Sequence, residues 1–260
     1  MDRKPLPGKF AWYELVSKDA KKAQAFYGEV LGWRVEGFPM GNATYDMVYA
    51  GDTMIGGYDT PRKEGQASHW ISYVSVEDVD RAAKIAVENG GKVIEPPTDI
   101  PNVGRQARIA DPQGAELCLF KNSTGDPADA EETPVGQFFW NELHTTDPQK
   151  ALSFYEKVVG FTHSAMESPA GTYYVLSSKD GVGRGGVTDH LPPGTAPHWL
   201  PYVVSDDPDA AAARAKRSGG SVHVGPADIP GIGRFAVLRD PTGAVLAVMK
   251  PLPRAKQRSA

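Results

Sequence analysis

A single cysteine, Cys118, stands in a chain of 260 residues. One thiol excludes an internal disulfide and any cysteine-based zinc cluster, and a reducing cytoplasm is the expected location. No apolar run approaches the roughly 20 residues that a membrane span needs, so no membrane partner is expected. The opening MDRKPLPGKF has basic residues but no apolar stretch behind them, and no secretory signal is read there. Positive charge is not in excess either. The net charge is −4, and nothing in it attracts a polyanion, so no nucleic acid is expected. P-loop, HExxH, nucleophile-elbow and CxxC patterns are all missing. Gly181-Val-Gly183-Arg-Gly185-Gly186 fits G-x-G-x-x-G, but Val187 to Leu191 and Pro192-Pro193 follow it. A phosphate-binding helix would have to begin there, so dinucleotide binding is rejected.

What the sequence does contain is folded composition, with 40% apolar and 23% charged residues, which argues against disorder. It also contains an internal repeat. Asp19 to Tyr27 recurs as Asp147 to Tyr155, and Thr44-Tyr45 as Thr172-Tyr173, at an offset of 128. His69-Trp70 recurs as His198-Trp199, and Asp111-Pro-Gln-Gly114 as Asp240-Pro-Thr-Gly243, at an offset of 129. The shift of one falls just before Gly56-Gly57 and Gly185-Gly186, where one inserted loop residue accounts for it. Between the copies lies the acidic stretch NSTGDPADAEETPVG, which reads as a linker.

Each copy divides again. Phe10 to Val16 reads as a strand. Asp19 is a helix cap, and Ala23, Phe26, Tyr27, Val30 and Leu31 make one apolar stripe that Gly32 ends. Three short strands follow. The second half repeats the order, with a stripe of Val79, Ala82, Ala83, Ala86 and Val87, a strand over Lys92 to Glu95, and the turn residues Asp111-Pro112-Gln113-Gly114. The unit is β-α-β-β-β, four times over.

A βαβββ unit opening with strand, Asp, helix, Phe-Tyr and Gly, paired with a half that carries Asp-Pro-x-Gly, resembles the vicinal oxygen chelate superfamily. That group holds glyoxalase I, the bleomycin- and fosfomycin-resistance proteins and the extradiol dioxygenases. The resemblance covers about residues 10–121 and 137–250. It implies an α+β protein of two tandem glyoxalase-like domains. Each would have two βαβββ modules forming a curved open eight-stranded sheet with a pocket on its concave side. The expected boundaries are 1–121 for the first domain, 122–136 for the linker, 137–250 for the second domain and 251–260 for a basic tail.

Metal-using members of that superfamily carry ligands on the first strand of each half and a glutamate on the last strand. The resemblance places those positions on Trp12, Ile71 and Cys118 in one domain and on Trp140, Leu200 and Ala247 in the other. Tryptophan, isoleucine, leucine and alanine offer a cation no lone pair. No cofactor is therefore expected. The alternative is a divalent metal (Zn, Fe, Mn or Ni) on Glu142, His144 and His198.

Strand alternation puts Glu14 on the face of Trp12, and Glu142 on the face of Trp140. If the first strands of the two halves pair antiparallel, Glu14 lies opposite His69 and Glu142 opposite His198. Each carboxylate–imidazole couple could act as a general base, orient a ligand, or only satisfy its own polar groups. Tyr73 and Tyr202 share the histidines' face, and His144 adds an inward nitrogen. The candidate ligand-binding residues are thus Trp12, Glu14, His69, Tyr73, Trp140, Glu142, His144, His198 and Tyr202. Arg105 and Arg234 are read as structural ion-pair residues, and Phe26, Tyr27, Phe154 and Tyr155 as helix-to-sheet packing. The leading function is metal-free binding of a small, partly planar organic ligand, with sequestration as in bleomycin resistance as one form. A metal-dependent lyase (lactoylglutathione lyase-like), isomerase or dioxygenase is the alternative. An interaction protein without a working pocket is the third. The assembly is expected to be a monomer that acts as its own pseudo-dimer, or a homodimer.

Overall fold

The computed structural model describes residues 4–41, 43–168, 171–192 and 194–253. Pro193 and residues 254–260 of the basic tail lie outside the described residues. The first repeat runs β1 (Phe10–Val16), α1 (Ala20–Leu31), β2 (Arg34–Met40), β3 (Ala43–Ala50), β4 (Thr53–Asp59), then β5 (His69–Ser75), α2 (Val79–Glu88), β6 (Lys92–Ile100), β7 (Gly104–Ala110) and β8 (Glu116–Asn122). The second runs β9 (Phe138–His144), α3 (Pro148–Val158), β10 (Thr162–Ser168), β11 (Gly171–Ser177), β12 (Gly183–Thr188), then β13 (His198–Val204), α4 (Pro208–Arg217), β14 (Ser221–Ile229), β15 (Gly233–Arg239) and β16 (Val245–Pro251). The strands form two curved eight-stranded sheets, ordered β2-β3-β4-β1-β5-β8-β7-β6 and, identically, β10-β11-β12-β9-β13-β16-β15-β14. The α+β class and the fourfold βαβββ order match the sequence reading.

Local chemistry sets the element ends. Asp19, Asp78, Asp147 and Asp207 cap the four helices by accepting a backbone N–H from Lys22, Arg81, Lys150 and Ala210. Pro148 and Pro208 start α3 and α4, where a missing N–H costs nothing. Gly32 ends α1 at φ +71°, a left-handed cap. Asp111 closes the β7–β8 turn by accepting from Gln113, Gly114 and Ala115, and Asp240 does the same for β15–β16.

Two expectations need correction. Val87, placed on the buried stripe of α2, is 53% exposed. At 100° per residue it lies about 80° round from Val79, at the rim of the stripe. Strand β6, expected to stop at Glu95, continues to Ile100 through Pro96 and Pro97. It stands at the end of its sheet and its register with β7 shifts on both sides of Glu95, the setting that tolerates proline.

The described chain forms two compact units. The first takes the chain up to Leu15, Trp70–Glu132 and Phe139–Pro201; the second takes Val16–His69, Thr133–Phe138 and the chain from Tyr202 onward. The core of the first unit draws on both repeats. Val74, Ala86, Ile109, Leu117 and Leu119 are buried there with Leu143, Phe154, Tyr155, Phe161 and Leu176. Helices α2 and α3 pack together in it. Trp199 donates to the Tyr155 hydroxyl at 3.0 Å, and that hydroxyl donates to Asp111 at 3.3 Å. The buried Asn141 amide joins repeats as well, donating to Tyr13 and accepting from Ser72, both at 2.9 Å. In the second unit α1 packs on α4, whose Arg214 donates to the Val30 carbonyl at 2.9 Å. The stretch read as a linker is pinned: Asp126 accepts from Leu6 N and Ser75, and Asp129 holds Lys9 and Arg184. Arg105 pairs with Asp80 and Asp99, and Arg234 with Asp209 and Asp228, the structural roles expected of them.

Candidate functional site

The candidate residues gather most closely in the second repeat, where Trp140, Glu142, His144 and His198 fall within the first compact unit. Strand β9 presents Trp140, Glu142 and His144 at alternate positions, so they share one face. The neighbouring faces of β9, Asn141 and Leu143, are buried at 1% and 0%. Parallel pairing with β12 sets Glu142 beside Gly186 and His144 beside Thr188.

His144 Nε2 stands 2.8 Å from Glu142 Oε1. This contact of a carboxylate with a ring nitrogen favours the protonated ring. Nδ1 donates to the His190 carbonyl at 2.7 Å. Burial works against the charged ring, but Glu142 and the His190 carbonyl outweigh it and raise the His144 pKa above its ordinary value. The His198 ring stacks on His144, with centroids 5.1 Å apart and planes within 4°. His198 Nδ1 donates to the Ala196 carbonyl at 2.9 Å. His144 thus contacts both Glu142 and His198.

Tyr173 completes the cluster. Its hydroxyl accepts from Trp140 Nε1 at 2.9 Å and hydrogen-bonds Glu142. Burial and the Glu142 charge hold this phenol well above the usual tyrosine range, so it remains a neutral donor. A Cβ on Gly186 would lie 1.9 Å from the Tyr173 hydroxyl, so glycine there makes room for the ring. Sequence reasoning missed Tyr173, although Thr172-Tyr173 and Gly185-Gly186 both stood in the repeat comparison. The His190 carbonyl was missed because a backbone oxygen leaves no mark in a sequence.

In the first repeat, Tyr73 donates to Glu14 in a short hydrogen bond. Register runs Tyr73 to Cys118 across β5 and β8, and Cys118 to Arg108 across β8 and β7. Burial pushes the Cys118 thiol up to about 12. Arg108 is buried; burial lowers its pKa, but Cys118, Glu116 and Glu95 more than restore it. Trp12 is half-buried on the strand of Glu14. His69 belongs to the second unit, where its Nδ1 donates to the Ala67 carbonyl at 2.9 Å. Tyr202, also in that unit, is buried beside Ala247. Surface cavities of about 250 and 240 Å³ lie elsewhere, around Pro112 and Lys150 and around Gly28 and Arg214, and no candidate residue lines them.

The chain matches the Glyoxalase/Bleomycin resistance protein/Dioxygenase superfamily over residues 9–119 and 137–248, and it belongs to that family. Its relatives include the candidate glyoxylase CFP32 of Mycobacterium tuberculosis, 40% identical over 249 residues, or 94% of this chain and 95% of that one. The anthracycline biosynthesis protein DauV of Streptomyces sp. (strain C5) is 31% identical over 275 residues, covering 94% of each chain. Among solved structures, the Mn(II)-bound glyoxalase from Novosphingobium aromaticivorans shares the fold, with TM-score 0.64 and 18% identity over 95% of this chain and 82% of that one.

The donors present do not fit the metal that such a relative holds. The implied positions carry Trp12, Ile71 and Cys118, and Trp140, Leu200 and Ala247. The Cys118 thiol is buried and stays protonated at neutral pH. Both His144 nitrogens are already engaged. Among the described residues no three His, Cys, Asp or Glu side chains are grouped to hold a metal ion, and Glu142, His144 and His198 do not form such a group.

Proposed function

We propose that this glyoxalase-superfamily chain binds a small, partly planar organic molecule against Trp140, with Glu142, His144 and Tyr173 orienting its polar group, and without the family's metal. The observation that carries this reading is the set of polar contacts around Glu142. A carboxylate, an imidazole whose pKa that carboxylate raises, and a neutral phenol converge beside a half-buried indole. The indole offers a flat apolar surface. Glu142 accepts a hydrogen bond from the ligand, and protonation of His144, which Glu142 favours, draws an electron-rich oxygen next to it. The name of the Streptomyces relative points to anthracyclines, which are flat fused-ring molecules, and this supports a planar ligand class here. We place the protein in the reducing cytoplasm, as a monomer or homodimer.

The test is a calorimetric titration with whichever planar compound a thermal-shift screen selects, alongside elemental analysis of protein purified without chelator. W140A and E142Q should each weaken binding about tenfold or more while the fold persists. Metal should be well below one ion per chain. Unchanged affinity in both variants, or stoichiometric metal whose removal abolishes activity, would sink the proposal in favour of a metal-dependent lyase, isomerase or dioxygenase.

A further inference from the structure

The helical side of the first compact unit carries a surface cavity of about 250 Å³. Asn89 and Gly90 at the end of α2, Pro112 in the β7–β8 turn, and Lys150, Ser153 and Lys157 on α3 line it. At 100° per residue, positions 150, 153 and 157 fall within about 60° of one another, so the three side chains share one face over two turns. Glu156 lies about 100° round from Lys157, and no Asp or Glu lines the cavity.

Two cations therefore meet here with nothing to neutralise them. Among the described residues neither Lys150 nor Lys157 pairs with a carboxylate. Lys157 is nonetheless held in place. Its ammonium donates to Asn89 Oδ1 at 2.9 Å, and Asn89 Nδ2 donates to the Ile85 carbonyl at 2.8 Å. A lysine already fixed by the protein loses less freedom when it grips a ligand. The negative end of α2 is quenched as well, because the N–H groups of Asn89, Gly90 and Gly91 donate to the carbonyls of Ile85, Val87 and Ala86. The other unit builds the same frame. A Cβ on Gly90 would lie 3.8 Å from Pro112, and one on Gly219 would lie 3.9 Å from Pro241. Around that frame it has Lys22, Ala25, Glu29 and Ser218 in place of Lys150, Ser153, Lys157 and Asn89. The frame belongs to the fold, and the fold is built without the pair of lysines.

We infer that this cavity is a second binding site, on the helical side of the sheet, for a small phosphate monoester. Lys150 and Lys157 face the charge of the phosphoryl group, and Ser153 Oγ donates to one of its oxygens. A phosphate monoester carries about −1.5 to −2 at neutral pH, which two ammonium groups match. A sulfate ester or a carboxylate carries a single charge. The Pro112 ring and the lysine methylenes offer the organic group apolar surface. At about 250 Å³ the cavity is smaller than the roughly 300–1,000 Å³ of drug-sized sites, which suits a compact ester.

The test is titration calorimetry of the full chain with phenyl phosphate, against phenyl sulfate and inorganic phosphate. Phenyl phosphate should bind about tenfold or more tighter than either. Its affinity should fall as pH drops through the second pKa of the ester, about 6. K157E should weaken binding about tenfold or more with unchanged melting, since the position is exposed. K150Q should weaken it in the same direction and serves if K157E does not fold. K22E makes the same charge change in the counterpart groove and should leave the affinity unchanged, as should W140A. The inference is overturned by no binding of any probe, by phenyl sulfate or inorganic phosphate binding as tightly as phenyl phosphate, by unchanged affinity in both lysine variants, or by an equal loss in K22E. Loss of binding in W140A with none in K157E overturns it too, while leaving the Trp140 proposal standing.

Discussion

The first compact unit holds Arg108, Cys118 and His144, whereas the repeat-equivalent positions Val237, Ala247 and Val16 fall in the second. Elsewhere the two units are built alike. Phe154 packs at Gly91 in one and Phe26 at Gly220 in the other, and the paired helices are α2 with α3 and α1 with α4. The helix-facing side of each sheet is under the same packing demand in every repeat, so its residues match. The opposite side keeps Trp12 and Trp140, Glu14 and Glu142, and Tyr45 and Tyr173 in both repeats, and differs at single places: Arg108 and Cys118 stand where the second repeat has Val237 and Ala247, and His144 where the first has Val16. His144 is therefore what sets the second-repeat cluster apart from its counterpart around Glu14.

The largest test of that comparison is on the shared part. F154A and F26A each empty a fully buried ring, and each should cost about 3–5 kcal/mol in chemical denaturation. A large loss in one and almost none in the other would break the equivalence of the units. Glycine comes next. A Cβ at Gly186 meets the Tyr173 hydroxyl, and one at Gly57 meets Tyr45 at 2.1 Å. G186A and G57A should both destabilise by about 1–3 kcal/mol, but only G186A should also weaken a ligand held at Glu142. Equal effects on binding would erase the distinction.

The smallest effect is a pH dependence. The pKa of His144 is raised in the folded state, so its contribution to stability is complete below the ordinary 6.5 and is lost as pH rises through the folded value. Melting temperature should therefore fall across that window in the native chain more than in H144Q. Parallel curves would remove the Glu142–His144 ion pair from the account of the site.

Helices, caps and turns were legible because 3.6-residue spacing and Asp-Pro or Asp-x-x-Gly chemistry act locally. The partner of each buried face was not legible. The stripe of Ala82, Ala83 and Ala86 says that α2 is covered, but not that α3 of the other repeat covers it. Trp140, Glu142 and His144 were legible from strand alternation alone, since period two is strict. Their link to Tyr173 is set by strand order across β9, β12 and β11, which periodicity does not encode. Arg108 drew no attention because a lone arginine in a strand looks like a solvent-facing residue until its register with Cys118 is known.

Asp126 and Asp129 give the segment between the repeats a different meaning from that of a tether. Asp126 is 3% exposed and Asp129 reaches Lys9 and Arg184, so the backbone up to that point is fixed at both ends. Ala130, Glu131 and Glu132 are exposed. An epitope tag or a circular-permutation break would be accommodated after Asp129 and would disrupt the chain before it, which makes one short stretch the natural place to reopen the polypeptide without disturbing either sheet.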